Sequence, residues 1–382
     1  MTLKTKKRIW DLIHLVDVRN DDEKVSLLLW VTVEKKFIPS VANTIWTDMS
    51  NYKIIRKWQF ACSLMQVRRD KKIPVALLKD YDEAIVTSAY PVFEVNNESE
   101  ILPEYLMMWF SRKEFDRESC FYAVWWVRWS LEWEDFCNMK LPIPPLQEQQ
   151  RLIDEYNIIQ NRININNNII QKLEKTAHTI YKQRFIDFDF PNNEWKPYKS
   201  SGWEMVYCKE LEKNIPNWWW LKRCQDVAPI ITGKEDANFA TENWKYKFFT
   251  CSQWIFKCDK PAFNGSAVLI AWNWDFNVKF FIWEFNAYQR TYVLVLNDNK
   301  YLWALYLTAK NLIDGFKKDA HWTTIEFITK PDVEKISLLE PPKDNVFFLL
   351  NKCIEWETPY INENEKLMEI SDILLSSLAG EK

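Results

Sequence analysis

Three histidines (His14, His178 and His321) and eight cysteines (Cys62, Cys120, Cys137, Cys208, Cys224, Cys251, Cys258 and Cys353) are the residues from which this chain would have to build a metal centre or an activated nucleophile. No histidine stands at ligand spacing from a cysteine or another histidine, and no C-x-x-C pair occurs. Neither a zinc site nor a His-based triad is expected. A chain this long needs no disulfide staples, so the cysteines read as reduced core residues. ATP chemistry would need a G-x-x-x-x-G-K-[ST] loop to cradle phosphates, and none is present. The double prolines, Pro144-Pro145 and Pro341-Pro342, follow Leu-Pro-Ile and Leu-Glu rather than the Asn or Asp of an amino-methyltransferase tetrad. Glu34-Lys35-Lys36 forms the E-x-K half of a nuclease motif with Asp21 and Asp22 upstream, a match short enough to arise by chance. The chain is expected to perform no catalysis and to hold neither metal nor cofactor of its own.

The scaffold for any other function must be large. A length of 382 residues exceeds what one core organises, so two modules with connectors are expected. With 47% hydrophobic and 27% charged residues the composition is globular. No window reaches the roughly 18 unbroken apolar residues of a membrane span. Near the start, Asp11, His14 and Asp17 interrupt the apolar run that a signal peptide would need. The cytoplasm is the expected compartment, with no membrane partner. A formal net charge of −3 argues against gripping nucleic acid by bulk electrostatics alone.

After LPIPP (141–145) the chain turns polar and its apolar residues fall into a sustained 4,3 spacing, the mark of a coiled-coil helix. The seam reads Leu152, Tyr156, Ile159, Ile163, Asn166, Ile170, Leu173, Ala177 and Ile180. Adding 197 to each number gives Leu349, Cys353, Trp356, Tyr360, Glu363, Leu367, Ile370, Leu374 and Ser377, and the same offset carries Pro144-Pro145 onto Pro341-Pro342 and Asp135 onto Asp332. The chain is thus two copies of module-then-helix. About forty residues of helix reach about 60 Å, too long for a small domain to enclose, so the two seams are expected to pair. A polar layer, Asn166 and Glu363, fixes the register. Pro359 predicts a bend or restart near Thr358. Short β-rich runs at 84–87, 267–271 and 290–296 make each module α/β (α+β). The expected order is a module over 1–143, a spacer helix over 144–186, a second module over 187–340 and a second helix over 341–382, with 185–201 a polar, proline-containing linker.

Glycine should number about 27 in a chain of this size, yet there are 5, while tryptophan occurs 22 times; 22 + 5 = 27. Asn217-Trp218, Asn243-Trp244 and Asn273-Trp274 would read as Asn-Gly turns, where a bulky side chain is strained. Our reading is that UGA encodes glycine in this gene and has been rendered as tryptophan. Trp109 and Trp133 look like true tryptophans. The alternative is an aromatic-rich binder of carbohydrate or nucleobases.

With Trp58, Trp125, Trp126 and Trp129 taken as glycine, residues 27–40, 52–78, 103–117 and 122–151 resemble the DNA specificity subunits of type I restriction-modification systems. So do IPNWWWLKRCQDV (215–227), KYKFFTCSQ (245–253), residues 267–294 and the closing ILLSSLAGEK (373–382), so that the resemblance covers nearly the whole chain. It implies two target-recognition domains separated by two long antiparallel coiled-coil helices. It also implies double-stranded DNA as ligand and two methyltransferase subunits as partners, with or without ATP-driven endonuclease subunits. S-adenosylmethionine, ATP and magnesium would belong to those partners. Base readout needs Arg, Lys, Asn and Gln on loops entering a groove. The candidates are Lys35, Lys36, Gln66, Arg68, Arg69, Arg128 and Ser130 in the first module. In the second they are Ser252, Gln253, Asn273, Lys279, Gln289, Arg290, Lys317, Lys318, His321 and Thr323. Arg128 would lie in a flexible Gly-Gly-Val-Arg-Gly segment. The rival is a coiled-coil scaffold that joins proteins without touching DNA, which explains the seams but not the paired loop-rich modules. A single-chain restriction enzyme would need methyltransferase motifs that are absent.

Overall fold

The computed structural model describes residues 5–41, 48–65, 67–123, 130–191, 194–241, 245–273, 276–320, 327–342 and 345–380. Two compact units emerge. One comprises residues up to Ile165 together with those from Glu363 onward, and the other runs from Asn166 to Asn362.

Both units start and close in the same way. Thr5–Arg8 pairs antiparallel with Lys140–Ile143 in the first, and Trp220–Arg223 pairs with Ser337–Glu340 in the second. A helical turn follows each opening strand, Ile9–Asp11 or Cys224–Val227, and the same acidic residue caps it: the Arg8 N–H donates to Asp11 and the Arg223 N–H to Asp226. The first N–H of each turn reaches the closing segment, from Ile9 to Met139 O at 2.9 Å and from Cys224 to Ile336 O at 2.8 Å. A four-stranded antiparallel sheet comes next. Its strand order is Ile13–Val16, Val92–Val95, Phe60–Cys62, Val75–Leu77 in the first unit and Ile230–Thr232, Thr291–Val295, Ala267–Ala271, Val278–Phe281 in the second. A helix packs on the last strand of each, Pro103–Phe110 and Leu302–Ala320. The packing is aromatic, as apolar faces of this area require. Phe60 stacks on Phe93 at 5.0 Å with Phe110 edge-on at 5.8 Å, and Phe280 meets Trp303 and Tyr306 at 5.6 and 5.1 Å.

The units differ in what they add. The first carries the strand pairs Leu29–Val31 with Phe37–Pro39 and Lys53–Arg56 with Glu83–Val86. The second carries a mixed sheet ordered Ile255–Cys258, Tyr246–Phe249, Glu284–Ala287, Phe263–Asn264.

The first long helix runs Leu146–Tyr181 and ends in a π turn, Lys182–Ile186; the second runs Asn345–Ser377. Each unit takes half of each helix, so the units do not follow the module-then-helix order of the chain. Antiparallel pairing is the reason. In the first unit Leu152 and Ile153 share a core with Leu375 and Leu378, Gln160 donates to Ser371 at 3.2 Å, and Arg162 forks onto Glu363 at 2.8 Å twice. In the second, Ala177 and Tyr181 share a core with Leu350, Cys353 and Ile354, and Phe185 stacks on Phe347 at 5.9 Å. Numbers rise along one helix as they fall along the other.

The expected seam of the first helix faces inward throughout: Leu152, Asn166 and Ala177 are buried, and Tyr156, Ile159, Ile163, Ile170, Leu173 and Ile180 half-buried. In the second helix Cys353 is buried and Tyr360, Glu363, Leu367 and Leu374 are half-buried, but Leu349, Trp356 and Ile370 are 43, 58 and 51% exposed and Ser377 is also exposed. The buried stripe lies one residue further on, at Leu350, Ile354, Glu357, Asn364, Ser371, Leu375 and Leu378. Three of those positions are polar, so a frame chosen by hydrophobicity settles on the neighbouring one. Asn364, not Glu363, is the buried polar residue; Glu363 holds Arg162 at the surface.

Pro359 causes no restart, for the second helix is continuous across it. Its ring is exposed, and the Thr358 hydroxyl donates to Ile354 O at 2.8 Å. The linker reading of 185–201 also needs correction. Phe185 and Phe188 are buried in the second unit's core, and Phe190 stacks on Tyr198 and Trp219 at 5.0 and 5.5 Å.

Candidate nucleic-acid interface

In the first unit the candidate side chains gather around the turn Val67–Asp70. Val67 is buried and its carbonyl accepts from Cys120 Sγ at 3.5 Å, which leaves Arg68 and Arg69 on the exposed side. The Leu131 N–H donates to Leu64 O at 2.9 Å, bringing Ser130 beside this turn. Lys71 and Lys72 are exposed immediately after it, so the RRDKK run (68–72) presents four cations against one carboxylate. Asp70 is held by Arg69 at 2.7 Å, an exposed pair of small energetic weight. Lys71 and Lys72 were not among the sequence candidates, although the basic run itself was legible.

Lys36 is exposed on the hairpin that follows Leu29–Val31, but Lys35 leaves the set. Its side chain is 8% exposed, its ammonium donates to Asp116 at 2.7 Å and to Phe110 O, and Asp116 also accepts from the Ile73 N–H at 3.1 Å. Burial pushes the Lys35 ammonium below the usual lysine range, while Asp116 counteracts it. A cation so enclosed ties three chain segments together and does not reach a base edge. Of the acids upstream of the E-x-K residues, Asp22 is held by Lys24.

In the second unit three loops converge. The Cys251 thiol donates to Arg290 O at 3.3 Å, the Asn277 amide to Cys251 O at 2.7 Å, and the Trp272 N–H to Arg290 O at 3.4 Å. This gathers Ser252, Gln253, Asn273, Gln289 and Arg290. Gln253 and Gln289 are exposed; Ser252, Asn273 and Arg290 are half-buried. Lys279 acts as a strut beneath them, donating to Ser252 O at 2.6 Å and to Asn277 Oδ1 at 2.8 Å. Lys317 and Lys318 fall in the helix Leu302–Ala320. Gln66, Arg128, His321 and Thr323 lie outside the described residues, as do the side chains of Lys317 and Lys318.

Among the described residues no group of three His, Cys, Asp or Glu side chains could hold a metal ion. All eight cysteines are free thiols; burial pushes Cys137 and Cys224 up to about 12, far from a reactive thiolate. No described helix is long and apolar enough to cross a membrane. What remains is one basic patch and one amide-rich loop cluster, suited to phosphates and base edges respectively.

Residues 70–175 match the type I restriction modification DNA specificity domain. The chain is 31% identical over 162 residues to the type I restriction enzyme EcoDI specificity subunit of Escherichia coli, covering 42% of this chain and 36% of that protein. With the MjaIX specificity subunit of Methanocaldococcus jannaschii it shares 32% identity over 283 residues, 63% of this chain and 60% of the relative. The matches therefore span less than two thirds of either relative. In fold the chain resembles the type I restriction-modification S subunit from M. genitalium, at a TM-score of 0.56 and 14% identity over 100% of this chain and 98% of that one.

Proposed function

We propose that this chain, which is similar to type I restriction-modification DNA specificity subunits, reads the two halves of a bipartite DNA site and docks methyltransferase subunits on its helices, without catalysis of its own. The observation that carries this reading is the repeat at backbone level. The same opening strand, capped turn, four-stranded sheet, packed helix and closing strand occur twice, at Met139 and Ile336 with the same N–H to carbonyl link. One binding task does not call for two copies of a module; two half-sites do. The modules diverge in the strands and loops beyond this frame, which is where two different half-sites would be distinguished.

Binding would combine Lys36, Arg68, Arg69, Lys71 and Lys72 on phosphates with Gln253, Asn273 and Gln289 on base edges. At a net charge of −3, these local cations rather than the whole field would set the salt dependence. Catalysis, S-adenosylmethionine and, where an endonuclease subunit takes part, ATP with magnesium would reside in the partners. Methylation-aware sequencing of the host genome tests the reading. Expected is a methylated site of two short blocks at a fixed gap that vanishes when this gene is deleted; a continuous site, or one indifferent to the deletion, refutes it.

A further inference from the structure

We infer that the native polypeptide carries glycine at positions 58, 195, 218 and 283, read from UGA, and genuine tryptophan at 109, 133, 219 and 303. Among the described residues nine non-glycine positions have positive φ, and tryptophan takes four of them, at 69°, 60°, 74° and 94°, although it supplies only 22 of 382 residues. A bulky side chain is crowded there by the backbone, whereas glycine is not.

Two of the four sites sit at the position of a turn that calls for glycine. The Gln59 N–H donates to Arg56 O at 3.0 Å and the Trp219 N–H to Pro216 O at 3.3 Å. Residues 56–59 and 216–219 are therefore hydrogen-bonded four-residue turns. Their third residues, Trp58 and Trp218, have positive φ while Lys57 and Asn217 before them do not. That is the type II pattern, in which the third position demands glycine or, less well, asparagine. At 94°, Trp283 lies beyond the left-handed helical well altogether. Three of the chain's five glycines behave alike: Gly202, Gly265 and Gly380 have φ of 78°, 117° and 70°.

Side-chain burial separates the four strained tryptophans from the four assigned as genuine, although Trp10, Trp30, Trp203, Trp220, Trp254 and Trp356 are also exposed without positive φ. The rings at 58, 195, 218 and 283 are 40, 86, 72 and 53% exposed, and none belongs to a buried core, Trp283 only meeting Phe281 edge-on at 6.1 Å. By contrast Trp109 and Trp303 are 5 and 1% exposed. The Arg112 guanidinium lies 4.0 Å over the Trp109 ring, Trp133 stacks on Phe136 at 5.2 Å, and Trp303 packs on Tyr306 at 5.2 Å. Trp219 meets Phe185, Phe188 and Phe190 at 5.4, 5.9 and 5.5 Å. Glycine at any of these four would empty a core position. None of the four strained tryptophans has positive φ together with a place in a hydrophobic core, as two codons with two meanings would produce.

Codon reading and peptide mass spectrometry of the protein from its own host decide the matter. Expected are UGA and a glycine mass at 58, 195, 218 and 283, with UGG and a tryptophan mass at 109, 133, 219 and 303. UGG at 58, 218 and 283 overturns the inference. A second readout uses the full chain as written here: Trp58→Gly, Trp218→Gly and Trp283→Gly should each raise the melting midpoint by about 2 to 4 °C, whereas Trp109→Gly and Trp303→Gly should lower it. Unchanged or lower midpoints in the first three count against it. Should the tryptophan-bearing chain fail to fold, rescue by the three glycine substitutions together is the expected result and failure of rescue the contrary one.

Discussion

Glu357 occupies an inward position of the second long helix, 3% exposed, with one carboxylate oxygen lacking a hydrogen-bond partner among the described residues. Burial, and secondarily the charge of Glu174 on the facing helix, lift its carboxyl from 4.5 to about 7. The folded chain therefore keeps this proton in a window where the unfolded chain has lost it. Stability is highest below the unfolded value, falls as pH rises from about 4.5 to about 7, and levels above that. At about 1.4 kcal/mol per pKa unit the full cost is about 3 to 4 kcal/mol at pH 8; relaxation around the charge should leave about 2 kcal/mol. Glu357→Gln imitates the protonated acid and removes the titration. The variant should match the parent at pH 4.5 and exceed it at pH 8, raising the melting midpoint of the second unit by about 4 to 8 °C there. Calorimetry at intervals between these pH values reads the difference, and subtracting the two profiles cancels every other titrating group. Parallel profiles for parent and variant would refute the argument. So would a variant less stable at every pH, which would mean that the carboxylate is stabilised by contacts in its charged form.

Lys35→Ala leaves the Asp116 carboxylate buried with, among the described residues, the Ile73 N–H as its remaining donor; unfolding of the first unit should become easier by about 3 to 5 kcal/mol, with DNA affinity per folded molecule unchanged. Arg68→Ala and Lys72→Ala should each weaken DNA binding about equally across sequences and lower the slope of log affinity against log salt by about 1 without altering site preference; a changed preference at one half-site in either variant would make that residue a base reader instead. Lys279→Met should loosen the 250–253 loop and relax selectivity at one half-site while leaving that slope intact; a slope reduced by about 1 would make it a phosphate contact instead. Phe188→Ala, at a residue 2% exposed, should cost the second unit about 3 to 5 kcal/mol in denaturant unfolding, where a true linker residue would cost nearly nothing.

The duplication was legible in the amino-acid order because the same backbone duties recur. Closing strand, helix-start prolines and the acidic residue of the preceding turn, Asp135 or Asp332, need the same residue classes in both copies, and a constant offset of 197 exposes them. The phase of the second helix was not legible. Which face of a helix is buried is set by its partner, and here the partner accepts Glu357, Asn364 and Ser371 inside while Leu349 and Ile370 stay out. Hydrophobicity ranks those positions in the opposite order. The stretch 185–201 misled for a related reason, since Phe185, Phe188 and Phe190 alternate with Asp187 and Asp189, so its average is polar although its anchors are buried.

The candidate interface divides in the same manner. Arg68, Arg69 and Ser130 lie together through contacts between neighbouring segments, and the basic run that contains the two arginines was visible as such. Lys35, Lys36 and Lys279 are the same chemical group on the same flexible stem, and nothing local separates a reader from a strut. Lys35 becomes structural through Asp116, 81 residues away, and Lys279 through the Ser252 carbonyl, 27 residues away. Lys36 is exposed. Because an enclosed ammonium must find acceptors or lose its charge, the roles of these lysines follow from where the fold closes around them, and that closure is made by residues far along the chain.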